Sequence, residues 1–142
     1  MDAPASPLPD RHRPSYGDER EAAEFADTLE RFERGEIGAD EYRQYRLSRG
    51  IYGQRQDGVH MVRAKVPAGV LSSAQLRALA DCATRFSRGY GHVTTRQNLQ
   101  FHFVKPADVP PFMAALAACG LTTREACSHT VRNVVACAEA GV

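Results

Sequence analysis

Lysine is nearly absent from this chain: of 18 basic residues only Lys65 and Lys105 are lysines, and the rest are arginines. Coding bias produces such a ratio without any functional demand, so the ratio alone assigns nothing. The 17 acidic residues leave a net charge of +1, which excludes the strong one-sign excess of a nucleic-acid-binding chain. No apolar run approaches the roughly 20 residues of a membrane span. Residues 1–10 lack the charged-then-apolar order of a secretory signal. A cytoplasmic location with neither membrane nor nucleic-acid partner is the expectation. Cys82, Cys119, Cys127 and Cys137 are 37, 8 and 10 positions apart, which gives no disulfide framework and no short metal-ligand spacing. Cys82 and Cys119 fall in apolar helical patterns and read as small core residues, Cys127 and Cys137 as inert thiols, and no metal ligand is assigned.

What the chain does have is alternation. Leu99, Phe101 and Phe103 fall on one face of a strand, with Gln100 and His102 on the other. The polar run before it, Thr94-Thr95-Arg96-Gln97-Asn98, reads as a turn or strand edge. An earlier strand repeats the design, with Val62, Ala64 and Val66 against Arg63 and Lys65, and ends at Pro67. Two such strands can pair into a sheet with one apolar and one cationic face. A face turned simply to solvent, with ordinary surface charges, satisfies the same pattern. A third arginine, Arg132, lies among Val131, Val134, Val135 and Ala136, where an unpaired charge is costly.

Residues 1–17 hold four of the eight prolines and little that can pack, so a disordered tail is expected there. Residues 18–58 read as a helical extension and a connector. Asp18 can cap a helix to about Arg34, with Phe25, Leu29 and Phe32 on one stripe. A second helix over 39–49 aligns Tyr42, Tyr45 and Arg49, and 51–58 is the connector. The compact part is expected over 59–126. After the Arg63 strand, Ser72 and Gln75 form a capping box for a helix with Leu76, Leu79, Ala80, Ala83 and Phe86 on its stripe. A hairpin or bent strand carrying Arg96 follows, then a helix opened by Asp108, Pro110 and Pro111 with Val109, Phe112, Met113 and Leu116 inward. The order strand–helix–strand–strand–helix gives an α+β, ferredoxin-like layer, preceded by a helical segment. Both helices would cover one sheet face and leave Arg63, Lys65, Arg96, Gln100 and His102 on the other.

Three pieces in order, Met-Val-Arg-Ala-Lys-Val-Pro (61–67), Thr-Thr-Arg-Gln-Asn-Leu-Gln-Phe-His (94–102) and Arg-Asn-Val-Val-Ala-Cys (132–137), give a resemblance that runs from about Tyr52 onward. The chain resembles the amino-terminal ferredoxin-like half-domain of the sirohaem-dependent nitrite and sulfite reductases. The resemblance implies that Arg63 and Arg132 point into the distal pocket of the sirohaem and bind the anionic substrate. It implies that Arg96 and Gln97, with Thr94, Thr95, Asn98, Gln100 and His102, surround the sirohaem carboxylates, and that Lys65 adds a second charge or a carboxylate contact. Arginine suits both tasks, since it offers carboxylates and oxyanions a planar, permanently charged fork of donors. The implied reaction is six-electron reduction of sulfite to sulfide or of nitrite to ammonia, with electrons from a ferredoxin or a flavoprotein.

The same family holds a [4Fe-4S] cluster through C-x5-C and C-x3-C pairs, and the cysteines here form neither. Residues 127–142 are accordingly expected to be the cut-short start of a cofactor-binding region, loosely packed from about residue 128, with exposed apolar surface that seeks a partner. The isolated chain is expected neither to assemble the cluster nor to turn over. A carboxy-terminal half or a complementary polypeptide would complete it. The alternatives are a stand-alone tetrapyrrole- or anion-binding module without turnover, and one subunit of a split reductase.

Overall fold

Helical spacing of apolar residues near the start of the chain produces two helices in the computed structural model, which describes residues 15–126 and 130–139. Helix α1 (Arg20–Glu33) buries Phe25 and Leu29, and α2 (Ala39–Ser48) buries Tyr42. Phe32 stacks on Tyr42 with ring centroids 4.3 Å apart, which locks the pair together. Gly50, at φ +76°, ends the second helix where a Cβ would collide with the Thr123 carbonyl oxygen. Asp18 lies outside the first helix, where it accepts from the Arg20 amide at 3.0 Å and pairs with its guanidinium at 2.8 Å.

Four antiparallel strands follow: β1 (Ile51–Gly53), β2 (His60–Ala64), β3 (His92–Val93) and β4 (Leu99–Val104), in spatial order β1-β2-β4-β3. Strand β1 departs from the connector expected over 51–58. Ile51 pairs with Val62 and is fully buried, but three residues are too few to display an alternation. Helices α3 (Ser73–Phe86) and α4 (Val109–Ala118) complete the α+β layer. The Ser72–Gln75 capping box forms as expected, with reciprocal bonds of 3.1 and 3.0 Å. The inward stripe of α3 is Leu79, Cys82 and Ala83, whereas Leu76 is 55 % exposed and Ala80 also faces outward. Counting from Leu79 rather than Leu76 gives the stripe that meets α4. Burial pushes the Cys82 thiol up to about 11, as suits a core residue.

Helix α4 turns Val109, Phe112, Met113 and Leu116 inward, and both α1 and α3 pack against it. Residues 15–17, grouped by composition with the tail, dock there too. The Tyr16 amide donates to the Gly120 carbonyl at 3.0 Å, and Gly17 lies against the backbone of Ala117. The remainder of the expected tail, residues 1–14, lies outside the described residues.

The alternation of β4 breaks once. Val62 faces Phe101 and His60 faces Val104, so β4 holds one more residue than β2 between the two pairs. This is a β-bulge, with Phe103 at φ +63° as the extra residue. Phe103 therefore leaves the core position expected for it, and Val104, fully buried, takes the place. The displaced ring lies under the Arg88 guanidinium, 3.5 Å from the ring centroid. Val62, Ala64, Phe101 and Val104 thus join the helices in the core.

Candidate anion-binding site

Arg63 and Gln100 are directly opposed in the register of β2 and β4, on the face away from the helices. With its amide oriented to the guanidinium, the Gln100 oxygen accepts from Arg63 Nε at 3.1 Å and also from Nη2. Arg63 Nη1 donates to the Ala126 carbonyl at 3.4 Å, and the Tyr52 ring centroid is 5.6 Å from the guanidinium carbon.

The polar run before β4 folds as a turn because Thr94 closes it. Its hydroxyl accepts from the Asn98 amide at 3.0 Å, and its own amide donates to the Asn98 carbonyl at 2.8 Å. Gln97 takes φ +60° there. Arg96 is thereby thrown outward, and its Nη2 donates to the Asn133 carbonyl at 2.9 Å. Asn133 is buried and returns the contact, donating to the carbonyls of Arg96 at 2.9 Å and Val66 at 2.8 Å. These bonds seat the segment that carries Arg132 beside the turn. A cavity of about 460 Å³ results, lined by Arg63, Arg96 and Arg132 together with Thr94, Thr95, Asn98, Gln100 and Asn133, and no lining residue is acidic.

The remaining candidates sit elsewhere or are already occupied. Lys65 is outside the cavity lining, 3.6 Å from the Glu125 carboxylate and 3.4 Å from the Val131 carbonyl. Gln97 spends both amide atoms on Ala136, at 2.7 and 3.1 Å. The Asn98 oxygen accepts from the Val66 amide at 3.0 Å, and that residue is buried. His102 shares with Arg63 a neighbouring depression beside Tyr52 and Met61. Its Nδ1 is 3.3 Å from Gln54 Nε2, and the other amide atom of Gln54 accepts from the Phe103 N–H at 2.6 Å. A backbone N–H can only donate, so Gln54 donates to Nδ1 and the imidazole is neutral with its proton on Nε2. Burial, then the neighbouring His92, lowers its pKa.

Asn133, Tyr52 and Gln54 were not singled out from the sequence. A lone asparagine in an apolar run is a signal of sorts, because a buried amide must find partners. It also ties the segment after residue 130 to the turn, while Asn133 is its one buried residue among those described. Ala68 adds a further bond by donating to the Val134 carbonyl at 2.8 Å. The exposed apolar surface is present all the same, with Val131 at 75 % and Val134 at 70 % exposure. Cys127 lies outside the described residues, and Cys137 is exposed. Among the described residues no group of three or more histidine, cysteine, aspartate or glutamate side chains could hold a metal ion, and no helix is long and apolar enough to cross a membrane.

Comparison with known proteins adds an independent line. Residues 52–119 match the family described as the nitrite/sulfite reductase ferredoxin-like half domain. The chain is 34 % identical over 104 residues to an assimilatory ferredoxin-dependent nitrite reductase of Haloferax mediterranei, a match covering 65 % of this chain and 18 % of that protein. It is 41 % identical over 96 residues to a chloroplastic ferredoxin–nitrite reductase of Arabidopsis thaliana, covering 66 % and 16 %. A ferredoxin sulfite reductase of Mycobacterium tuberculosis is 32 % identical over 109 residues, covering 65 % and 20 %. The structure of the Mycobacterium tuberculosis NirA protein superposes with a TM-score of 0.65 at 28 % identity, over 87 % of this chain and 28 % of that one. The chain thus spans a fifth or less of the length of these three relatives.

Proposed function

We propose that the chain, whose residues 52–119 match the nitrite/sulfite reductase ferredoxin-like half-domain family, supplies the cationic wall of a site for sirohaem and a small oxyanion, sulfite or nitrite. The observation that carries this reading is the convergence of Arg63, Arg96 and Arg132 on one cavity without an acidic neighbour. Three guanidinium groups on one cavity repel one another unless an anion sits among them. A tetrapyrrole rich in carboxylates together with an oxyanion fits that donor set.

Arg96, with Thr94 and Thr95 beside it, meets the tetrapyrrole carboxylates. Gln97 and Asn98 hold the turn that presents it, and Lys65, Gln100 and His102 complete the polar face. Arg63 and Arg132 hold the oxyanion, and their N–H groups stabilise charge that gathers on its oxygens. The bound sirohaem would supply the iron at which the anion accepts electrons. The wider enzyme in this proposal performs the six-electron reduction of sulfite to sulfide or of nitrite to ammonia, fed by a ferredoxin or a flavoprotein. Its [4Fe-4S] cluster would rest on residues other than Cys82, Cys119 and Cys137, which form no ligand group among the described residues.

Titration of the chain with sirohaem, followed by absorbance, tests the reading. Arg96→Ala should weaken binding roughly 10- to 150-fold, the loss of a charge-assisted hydrogen bond of about 1.5–3 kcal/mol. Arg63→Ala should leave sirohaem binding near wild type and weaken sulfite or nitrite binding to the complex. A wild-type chain that retains no sirohaem, or an Arg96→Ala chain that binds as well as wild type, would overturn it.

A further inference from the structure

Arg63 is half-buried, yet none of the ion pairs among the described residues includes it. It is held instead by neutral groups on three sides: the Gln100 amide oxygen on Nε and Nη2, the Ala126 carbonyl on Nη1, and the ring of Tyr52. The Ala126 contact is long at 3.4 Å, and the ring offers a face but no direction within its plane. Gln100 alone fixes the edge of the guanidinium. It can do so because the register of β2 and β4 puts the two residues directly opposite each other.

The chemistry of the holder matters. A carboxylate opposite Arg63 would grip it at least as firmly but would cancel its charge toward an incoming anion. A neutral amide orients the guanidinium and leaves the full charge available. Arg96 follows the same rule, since its Nη2 donates to a backbone carbonyl, that of Asn133. Gln100 has one amide oxygen, and that oxygen is committed to Arg63.

We infer that Gln100 is a positioning residue: it acts on the bound oxyanion through the guanidinium of Arg63, which its amide oxygen holds. This rests on the oxyanion reading of the cavity, with Arg63 as the anion-binding arginine. Gln100→Met removes the acceptor at nearly constant volume. Gln100→Glu keeps an acceptor but adds a negative charge.

Two measurements on the full chain separate the possibilities. The first follows exchange of the Arg63 Nε–H with water by nuclear magnetic resonance, without any ligand. Gln100→Met should accelerate it about tenfold or more, the protection given by one hydrogen bond to a charged group, whereas Gln100→Glu should keep it slow. The second follows sulfite affinity in a double-mutant cycle. Gln100→Met should weaken sulfite binding several-fold in the wild-type background and have no effect once Arg63→Met is present. Gln100→Glu should weaken binding more than Gln100→Met, although it holds Arg63 better. Unchanged Arg63 exchange in Gln100→Met would overturn the inference, as would an undiminished loss of sulfite affinity in the Arg63→Met background. If the wild-type chain binds no sulfite, the oxyanion reading and the anion-binding half of the inference fall together. Exchange alone would still decide whether Gln100 positions Arg63. Thermal unfolding of each variant guards against a folding defect, and Gln100→Glu supplies a second variant should Gln100→Met unfold.

Discussion

The protonation state of His102 is dictated by a residue 48 positions earlier. Gln54 receives the Phe103 N–H on its oxygen and must therefore present its amide hydrogens to His102 Nδ1. A second proton on the ring would set two donors face to face. Burial and the nearby His92 act in the same direction and lower the pKa of His102. The sign of the linkage follows. An unfolded histidine titrates near about 6.5, so as pH falls the unfolded chain takes up this proton before the folded one. The stabilisation by His102 is complete above that pH and is lost as pH falls from there toward the lowered folded value. Thermal unfolding should therefore come earlier at about pH 5.5 than at pH 7.5. His102→Asn, whose oxygen can replace Nδ1 as acceptor, should reduce that difference. Resonance titration of the ring should give a midpoint below that of free histidine, and a midpoint at or above it would refute the argument.

Between elements, the most consequential contacts are made by the segment after residue 130, which has no regular structure of its own. Asn133 reaches the carbonyls of Val66 and Arg96, and Gln97 reaches both backbone groups of Ala136. Asn133→Ala would remove two hydrogen bonds, to the carbonyls of Val66 and Arg96, at a cost of roughly 1–3 kcal/mol, although the Val66 carbonyl still accepts from the Gly69 amide at 3.1 Å. Amide exchange should then quicken at Ala68 and Ala136, and unchanged exchange at both would count against this role. Such order was not legible in the sequence, because no period marks a segment held by side chain-to-backbone bonds from distant residues. Elements with a period were legible: Val62 and Ala64 in β2, the capping box of α3, and the inward face of α4 all follow from spacing. The bulge at Phe103 was not, since one extra residue is set by pairing with β2 and by Gln54, neither of which is local. For the site, Arg63 and Arg96 could be read because each stands out from an alternation or a turn. Tyr52 and Gln54 could not, because the stretch that contains them shows only a connector's composition.

At the scale of the whole molecule, the helical hairpin of α1 and α2 is braced to the floor of the cavity although it lies outside the family match at residues 52–119. The brace is Glu21 of α1, whose side chain is 8 % exposed. It pairs with Arg49 at 2.9 Å and Arg124 at 3.1 Å, and accepts from the Thr122 hydroxyl at 3.1 Å. Residues 122–126 then touch both the end of α2 and the sheet. The Lys65 amide donates to the Thr122 carbonyl at 2.8 Å, the Glu125 amide donates to Ser48 at 3.0 Å, and Ala126 receives Arg63. Loss of Glu21 should therefore be felt beneath Arg63 as well as in the hairpin. Glu21→Ala should cost about 2–4 kcal/mol, because a buried carboxylate disappears and Arg49 is left with one exposed partner. Amide exchange at Lys65 and Glu125 should quicken with it. The control is that partner, Glu24, 3.1 Å from Arg49 and 58 % exposed. An exposed ion pair is worth less than about 1 kcal/mol, so Glu24→Ala should barely move the unfolding midpoint and leave both amides protected. Equal losses from the two substitutions, or a destabilised Glu21→Ala chain with Lys65 and Glu125 still protected, would show that the hairpin stands apart from the site.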